Sequence, residues 1–311
     1  SRLQPPGIDE LKGIDPDAEV LLGDIQLPGD IDRIVASPGV ADSQPILQSA
    51  IARKLEIVSD IELFSREAEA PFVAITGSNG KSTVTTLLYQ MCRAGGRQVL
   101  AGGNLGKPAL DLLDEASPDV YVLELSSFQL HRTETLPAAV AVLLNVSPDH
   151  LDWHTDEAEY RRAKYRVFRE AHAAVFNRAD ASVAEHVARC GKVISFGTDV
   201  PDDGHYGLRV EDGETFLARG TTLLLSCREL AMYGELLGLG VAAMLQVLVE
   251  FPGLPHRMQF VARVGAVDYI NDSKATNVAA AVASVGSVDT MLVLIAGGDG
   301  KGGNFSDLAA A

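Results

Sequence analysis

The stretch Val73-Ala-Ile-Thr-Gly-Ser-Asn-Gly-Lys-Ser-Thr83 decides the fold class, because an apolar run enters a glycine-framed turn that ends in a lysine and two hydroxyls. An apolar-periodic run from Val84 to Cys92 follows directly. This order predicts a buried strand, a phosphate loop and a helix. The first glycine of the usual phosphate-loop pattern would fall at Ile75, so an ordinary strand-to-helix turn stays open as the alternative for this segment.

The predicted loop supplies the candidate nucleotide-binding residues. Its backbone N–H groups can surround an anion, and the N-terminus of the helix adds a partial positive charge. Lys81 can reach a terminal phosphate, and the hydroxyl of Ser82 can hold Mg²⁺. The other loop residues expected at the nucleotide are Gly77, Ser78, Asn79, Gly80 and Thr83.

Composition limits the class of protein. The 311 residues argue for two or three domains, and the 47% of hydrophobic residues suffice for substantial cores. The net charge of −16 gives no general attraction for nucleic acid. No apolar run of about 18 residues predicts a membrane span. None of the three cysteines forms a Cys-x-x-Cys pair, so a disulfide framework or a cysteine zinc site is not indicated. We therefore expect a cytoplasmic protein without nucleic-acid or membrane partners.

Short apolar runs alternate with helical patterns along the chain, which predicts an α/β fold with helices on both sides of parallel sheets. The runs expected to form buried strands are Ile34–Ala36, Phe72–Ile75, Val120–Leu125, Val140–Asn145, Tyr269–Asn271 and Met291–Ala296. The turn-rich stretch from Gly197 to Gly234 predicts a small antiparallel layer. Linkers near residues 67–71 and 251–255 predict domains over residues 1–69, 70–253 and 254–311.

Polar side chains stand where predicted strands end, the edge at which open α/β sheets bind ligands. Glu124 closes one strand, and His150 follows the next, so both could converge on a metal beside the phosphate loop. Either residue alone could be structural, although an unpaired buried carboxylate is costly. Lys164, taken from its helical pattern alone, is expected to be a solvated or phosphate-facing helix lysine.

The last segment repeats the pattern of a strand followed by a polar loop. Asp272, Lys274, Thr276 and Lys301 could face a shared anionic ligand, although Gly, Asn and Asp are also common in plain turns. Earlier in the chain, Ser37-Pro38-Gly39-Val40 follows a strand and by itself indicates only a turn.

Together these segments resemble the Mur ligase family, the ATP-dependent amino-acid ligases of peptidoglycan synthesis. The motifs Gly77–Thr83, Glu124–Leu130 and Asn271–Asn277 look like the branch that adds D-glutamate to UDP-N-acetylmuramoyl-L-alanine. Further matches at Val35–Val40, Gly102–Gly106, Gly253–Arg257 and Gly297–Lys301 extend the resemblance over nearly the whole chain. The resemblance implies a partial Rossmann-like N-terminal domain, a central P-loop ATPase-type parallel sheet and the start of a Rossmann-like C-terminal domain.

The resemblance also implies roles for individual residues. Lys81, His150 and Lys164 would be catalytic, and Lys164 would carry a carbamate that supports the second of two magnesium ions. The implied metal residues are Ser82, Glu124, His150 and Lys164, and the implied ATP contacts outside the loop are Arg257 and Asp272. The implied substrate contacts are Ser1, Arg2, Ser37, Pro38, Gly39, Asn104, Ser126, Lys274, Thr276 and Lys301.

The implied reaction proceeds through an acyl phosphate made with ATP, which the amine of D-glutamate then attacks. A monomer with small-molecule substrates is expected. The sequence departs from the family before Ser1, around Glu235, where a Gly-x-His-Asn motif is missing, and after Ala311. We therefore expect a longer protein at both ends and around Glu235, and an intact mass close to 33.0 kDa would contradict this.

Three alternatives remain. Another Mur ligase or a folylpolyglutamate synthetase would share the fold, but Glu124–Gln129 and Ser78 argue against both. A P-loop regulator without ligase activity would leave Asp272, Lys274 and Lys301 unexplained, and it would hydrolyse ATP without an amino acid. A pure dinucleotide-binding dehydrogenase would need a Gly-x-Gly-x-x-Gly turn after the first buried strand of the central domain, where the sequence has Gly77–Thr83 instead.

Overall fold

The computed structural model describes residues 7–23, 26–226, 247, 250–288, 290–298 and 305–311. The chain separates into two compact units, Ser1–Val58 and Ser59–Ala311. The predicted domain boundaries at residues 69 and 253 stay predictions.

The first unit contains a short parallel pair of strands. Its elements are α1 (Ile8–Ile14), β1 (Arg33–Val35), α2 (Pro45–Ala52) and β2 (Glu56–Val58). The predicted strand at Ile34 is present as β1, but Val35 is 54% exposed rather than buried. The N–H of Val40 donates to the carbonyl of Ser37 over 3.0 Å and closes the turn that follows β1.

The second unit is built on a mixed, mostly parallel sheet, which confirms the predicted α/β class. The described strands are β3 (Phe72–Thr76), β4 (Val99–Gly103), β5 (Val120–Glu124), β6 (Val140–Leu143), β7 (Ala173–Asn177), β8 (Lys192–Phe196), β9 (Tyr206–Glu211), β10 (Glu214–Arg219) and β11 (Thr222–Ser226). They lie in the order β11-β10-β9-β8-β7-β6-β3-β5-β4. The helices are α3 (Asp60–Glu67), α4 (Lys81–Ala94), α5 (Ser127–His131), α6 (Glu157–Tyr165) and α7 (Ala184–Val187).

The central strands are apolar on both faces because helices cover both sides of the sheet. Every residue of β3, β5 and β6 is buried. Successive side chains of β3 enter opposite core clusters: Ala74 joins the one that contains Phe64 of α3, and Ile75 joins the one that contains Leu88 of α4. The predicted strands over residues 72–75, 120–125 and 140–145 are therefore confirmed.

The order of the central strands places the phosphate loop at a topological switch point. β3 pairs in parallel with β5 on one side and with β6 on the other. The carboxyl ends of these three strands consequently meet at one edge, where α/β sheets bind ligands. The far edge is the predicted antiparallel layer, since β9, β10 and β11 pair antiparallel.

The C-terminal segment differs from the prediction. Tyr269–Asn271 lies within β13 (Val267–Asn271), which forms an antiparallel hairpin with β12 (Gln259–Val264), and Tyr269 is 51% exposed. The predicted strand Met291–Ala296 is wrong, because the described residues 290–298 contain no strand. Val293 and Ile295 are 85% and 91% exposed. An apolar run becomes a strand only when a neighbour supplies hydrogen bonds, and none of the described residues does so here. The remaining helices are α8 (Val278–Gly286) and α9 (Ser306–Ala310).

None of the helices in the described part of the chain is long and apolar enough to cross a membrane.

Candidate functional site

The phosphate loop connects β3 to α4 and has the geometry of an anion-binding turn. Gly80 precedes α4 with φ of 82°, a left-handed conformation that favours glycine. A Cβ at Gly77 would lie 3.0 Å from the Cβ of Leu144, so this position is also tight. Asn145 fixes the loop from the end of β6, because its Oδ1 accepts from the N–H of Asn79 and its Nδ2 donates to the carbonyl of Asn79 (2.9 and 3.1 Å).

Two lysines converge on one carbonyl of this loop. Lys81 Nζ donates to the carbonyls of Gly77 and Ser78 (2.8 and 3.1 Å), and Lys164 Nζ donates to the carbonyl of Gly77 (2.8 Å). Lys164 is only 1% exposed, so of the two expected states the solvated helix lysine is wrong, whereas its bond to the phosphate loop agrees with a phosphate-facing lysine. The pattern of its helix did not show this burial, because the carbonyl that Lys164 contacts, that of Gly77, lies 87 positions away in the sequence.

The electrostatics of the two lysines follow from burial. Burial lowers the pKa of Lys81, and the carboxylates of Glu124 and Asp149 raise it in part. Burial, reinforced by the charge of Lys81, lowers the pKa of Lys164 well below its ordinary value. Lys164 therefore has a tendency towards the neutral amine that an exposed lysine lacks.

Glu124 stands at the carboxyl end of β5, where the sequence placed a metal ligand. Its side chain is buried, and its Oε1 accepts from Asn104 Nδ2 over 2.7 Å. Its Oε2 is buried and has no hydrogen-bond partner among the described residues. A buried carboxylate oxygen without a partner is unfavourable unless a cation or a donor satisfies it, so this site fits a magnesium ion.

Neighbouring glycines let β4 lie close to Glu124. A Cβ on Gly103, which has φ of 95°, would lie 2.5 Å from the carbonyl oxygen of Glu124. The N–H of Asn104 donates to that same carbonyl over 2.8 Å. The predicted substrate residue Asn104 is thereby fixed beside the predicted metal residue through both its backbone and its side chain.

His150 lies in the loop after β6 and has φ of 54°. Its ring contacts Phe128 edge-on, with 4.7 Å between the ring centroids, and its Nε2 lies 3.7 Å from Asp149 Oδ2. The imidazole is partly exposed, with 34% of its side chain accessible. A partly exposed imidazole beside a carboxylate, at the same sheet edge as the phosphate loop, can serve as a metal ligand.

The segment after β13 reaches the phosphate loop. Asn277 Nδ2 donates to Asn79 Oδ1 and Asp149 Oδ2 (3.0 and 3.1 Å). Arg257 Nη2 lies 3.5 Å from Ser82 Oγ. The structure therefore brings two parts of the C-terminal segment to the predicted nucleotide site.

The other predicted residues of this segment have varied surroundings. Asp272 accepts from the N–H of Met258 (3.0 Å) and from Ser284 Oγ (2.5 Å), so its carboxylate joins the residue before β12 to α8. Lys274 and Thr276 are exposed. Lys301 lies outside the described residues, as do Ser1 and Arg2 at the beginning of the chain.

The remaining predicted substrate and nucleotide residues belong to several different elements. Ser126 begins α5 through a capping box with Gln129, which gives it a structural role in addition to the predicted one. Ser37, Pro38 and Gly39 form the turn after β1 in the first unit. Thr83 lies in the first turn of α4.

Sequence reasoning missed three residues of this site. Asn277 ends the motif Asn271–Asn277 and Asp149 directly precedes His150, yet neither was predicted, and their contact spans 128 positions. Tyr160 donates to or accepts from Ser78 Oγ over 2.7 Å, and Lys164 Nζ lies 4.7 Å from the centroid of its ring. The available signal was the run Tyr160–Phe168, in which a tyrosine and a lysine stand one helical turn apart.

Comparison with known proteins is consistent with this geometry. The family model described as the Mur ligase middle domain matches residues 75–221. The chain is 47% identical to the UDP-N-acetylmuramoylalanine–D-glutamate ligase of Nitrosococcus oceani, over 99% of this chain and 72% of that protein. It is 45% identical to the ligase of the same name from Marinobacter nauticus, over 99% of this chain and 73% of that protein.

Solved structures show the same fold at lower sequence identity. A UDP-N-acetylmuramoyl-L-alanyl-D-glutamate–2,6-diaminopimelate ligase is similar with a TM-score of 0.56 and 19% identity, over 88% of this chain and 73% of the other. MurF from Acinetobacter baumannii gives a TM-score of 0.55 and 17% identity, over 73% of this chain and 56% of the other. At these identities the similarity carries the fold alone.

Proposed function

Because the chain belongs to the Mur ligase family, within its D-glutamate-adding branch, we propose that the phosphate loop and the buried residues around it form the ligase centre. The protein is an ATP-dependent ligase that adds D-glutamate to UDP-N-acetylmuramoyl-L-alanine in peptidoglycan synthesis. The observation that carries the proposed centre is the buried, unpartnered Oε2 of Glu124 at the sheet edge that holds Lys81 and Lys164.

The first step transfers a phosphoryl group. An oxygen of the L-alanyl carboxylate attacks the γ-phosphorus of ATP, the bond to the bridging oxygen breaks, and ADP leaves. This step brings like charges together, so the ammonium of Lys81 and the N–H groups at the start of α4 would stabilise the phosphates. Mur ligases use Mg²⁺, which supplies further positive charge at the phosphate oxygens when bound. Ser82, Glu124, His150 and Lys164 would hold two such ions.

The second step forms the amide bond. The amine of D-glutamate attacks the carbonyl carbon of the acyl phosphate, loses a proton, and phosphate leaves as the tetrahedral intermediate collapses. Lys274, Thr276 and Lys301 would bind the incoming amino acid and the departing phosphate. Excluding water from the site protects the acyl phosphate from hydrolysis, and the contacts of Asn277 with Asn79 and Asp149 support such a covered arrangement.

The remaining residues would bind the two nucleotides. Arg257 and Asp272 would contact ATP, which the approach of Arg257 to Ser82 supports. The uridine nucleotide substrate would meet Ser1, Arg2, Ser37, Pro38, Gly39, Asn104 and Ser126. We also propose three domains, over residues 1–69, 70–253 and 254–311, and a cytoplasmic monomer. A species larger than one chain in sedimentation velocity would contradict the monomer.

The test of the function is phosphate release with ATP, Mg²⁺ and UDP-N-acetylmuramoyl-L-alanine. D-Glutamate, L-glutamate, L-lysine and D-alanyl-D-alanine are added singly. We expect release that requires D-glutamate and that stays at background with the other three. Release that ignores the added amino acid would support a P-loop ATPase instead, and release that follows another amino acid would reassign the substrate.

We further propose that Lys164 reacts with carbon dioxide to form a carbamate. The neutral amine attacks the carbon, a proton passes to solvent, and the lysine becomes an anion that can support a metal ion. The lowered pKa of Lys164 supports this step, because only the neutral amine is nucleophilic. The tendency towards neutrality is caused mainly by burial and in addition by the charge of Lys81.

Lys164→Ala is therefore expected to lower the rate of phosphate release about 100-fold at saturating substrates, because one magnesium ion loses an anionic ligand. Formate or acetate is expected to restore part of this activity by replacing the carbamate. Wild-type activity should fall in buffer depleted of carbon dioxide and return with bicarbonate. Lys164→Arg is the matched control, because it keeps a cation that cannot form the carbamate. Its activity should change neither with added formate or acetate nor with the supply of carbon dioxide. Full activity of the alanine variant would contradict the carbamate.

A further inference from the structure

A second cluster of metal-binding side chains lies apart from the phosphate loop. It consists of His131 at the end of α5, His154 in the turn after His150, and Glu159 in the first turn of α6. One ligand atom from each lies within 4.8 Å of the other two. His131 Nδ1 is 3.8 Å from Glu159 Oε1, and His154 Nδ1 is 3.9 Å from Glu159 Oε2.

These distances are too long for hydrogen bonds but close to those around a metal ion. Zinc bonds of about 2.0–2.2 Å in tetrahedral geometry separate ligand atoms by about 3.4 Å. The pairs at 3.8 and 3.9 Å would contract by roughly half an ångström to reach this spacing, and a pair at the 4.8 Å limit by about 1.4 Å. Side-chain rotation can supply such a movement, because His131 and Glu159 are both partly exposed.

The orientation of His154 independently indicates a ligand in the gap. The residue is 2% exposed, and its Nε2 lies 3.0 Å from Ser127 Oγ. With its proton on Nε2, the ring donates to Ser127 and directs the lone pair of Nδ1 towards His131 and Glu159. Nδ1 is buried and has no hydrogen-bond partner within the described part of the chain. A histidine held by a hydrogen bond through one nitrogen and open at the other is the usual state of a metal-ligating histidine.

Glu159 is held as an anion that points into the same gap. Its Oε2 accepts from the N–H and the Oγ1 of Thr155 over 2.7 and 2.8 Å. Burial acts to raise the pKa of Glu159, but the bonds from Thr155 and the two neighbouring histidines outweigh it, so the pKa is lowered. The cluster thus combines two imidazoles with one ionised carboxylate.

We propose that His131, His154 and Glu159 bind a divalent transition metal, with Zn²⁺ as the best match. Imidazole nitrogens favour zinc over magnesium, which prefers oxygen ligands. Three protein ligands leave one coordination position free, and His131 and Glu159 also line a surface cavity of about 850 Å³ that gives solvent access. The site is separate from the proposed ligase centre, so its test does not depend on ligase activity.

Occupancy of this site would affect the loop that carries His150. The N–H of His154 donates to the carbonyl of His150 over 3.0 Å. The ring of Phe128 contacts both histidines, with centroid distances of 4.7 Å to His150 and 5.7 Å to His154. A bound metal would therefore fix this turn against α5 and α6.

The test measures zinc binding directly. Chelator-treated protein is titrated with Zn²⁺ against a chromophoric chelator, with millimolar Mg²⁺ present to occupy the ligase centre. We expect one equivalent of Zn²⁺ with a micromolar or lower Kd and a rise in Tm. Co²⁺ should give the visible absorption of a tetrahedral nitrogen and oxygen site. His131→Ala and Glu159→Gln should each weaken binding at least 100-fold.

The matched control is His172→Ala, which removes an exposed histidine outside the cluster and should leave binding unchanged. Both test positions are partly exposed, so the variants should remain folded, and their Tm without metal verifies this. Two results would overturn the proposal. One is no uptake of Zn²⁺ at micromolar concentration, and the other is equal uptake by the wild type and both variants, which would assign the ion to another site.

Discussion

Replacing Lys81 by alanine is expected to lower the rate of D-glutamate-dependent phosphate release about 1000-fold at saturating substrates. Lys81 is the partly buried cation that bonds to the carbonyls of Gly77 and Ser78, within reach of an anion in the loop. A fixed positive charge in a site with little water stabilises the charge of phosphoryl transfer far more than it would in solution. The measurement is steady-state kinetics with ATP and both substrates varied.

The control for this prediction is Lys192→Ala, which removes an exposed lysine at the start of β8. Its activity should stay within about twofold of the wild type, since surface substitutions have small effects. A Lys81→Ala protein that keeps a folded Tm and more than a tenth of the wild-type rate would contradict the role given to this lysine.

Glu124→Gln is expected to lower activity by about 100-fold or more and to raise the Mg²⁺ concentration needed for half-maximal activity. The substitution keeps the shape of the side chain but removes the negative charge, so the hydrogen bond from Asn104 can persist while the ion loses a ligand. Without Mg²⁺, the Tm should not fall. The reason is that an unpartnered buried carboxylate oxygen is replaced by a neutral amide.

Magnesium titrations of activity, with Tm measured in parallel, test this prediction. Glu115→Gln is the matched control, because Glu115 pairs with Lys107 at the surface. An unchanged magnesium requirement in Glu124→Gln would remove Glu124 from the metal site. A large fall in the metal-free Tm would instead indicate a structural role for this carboxylate.

The centre of the fold could be predicted because the residues of its strands show that both faces are buried. β3, β5 and β6 are buried on both faces, so their sequences are continuous apolar runs. The polar residues that end them are then brought to one edge by parallel pairing. Glu124 and the phosphate loop could be placed together on that basis alone.

The C-terminal segment could not be predicted in the same way. The runs at Tyr269–Asn271 and Met291–Ala296 were predicted as strands like the central ones, yet the first lies in an exposed hairpin and the second forms no strand in the described residues. Whether an apolar run becomes a buried strand depends on which other strands and helices cover it. That information lies outside the run itself.

The burial of Lys164 and the cluster of His131, His154 and Glu159 were missed for a related reason. Each depends on contacts between elements that are distant in sequence, such as the 87 positions between Lys164 and Gly77. A helical pattern shows which residues share a face, but it does not show what packs against that face. The family resemblance indicated a role for Lys164, but it indicated none for His131, His154 or Glu159.

The side chain of Asn277 has a consequence for the entropy of assembling the site. Its Oδ1 accepts from the N–H of Ala280 over 2.8 Å and caps α8, which holds the amide in one rotamer. The same amide presents its Nδ2 to Asn79 and Asp149. The cap alone holds this rotamer, whether or not Asn277 contacts the phosphate loop. Docking this segment on the loop therefore avoids a loss of side-chain freedom on the order of 1 kcal/mol.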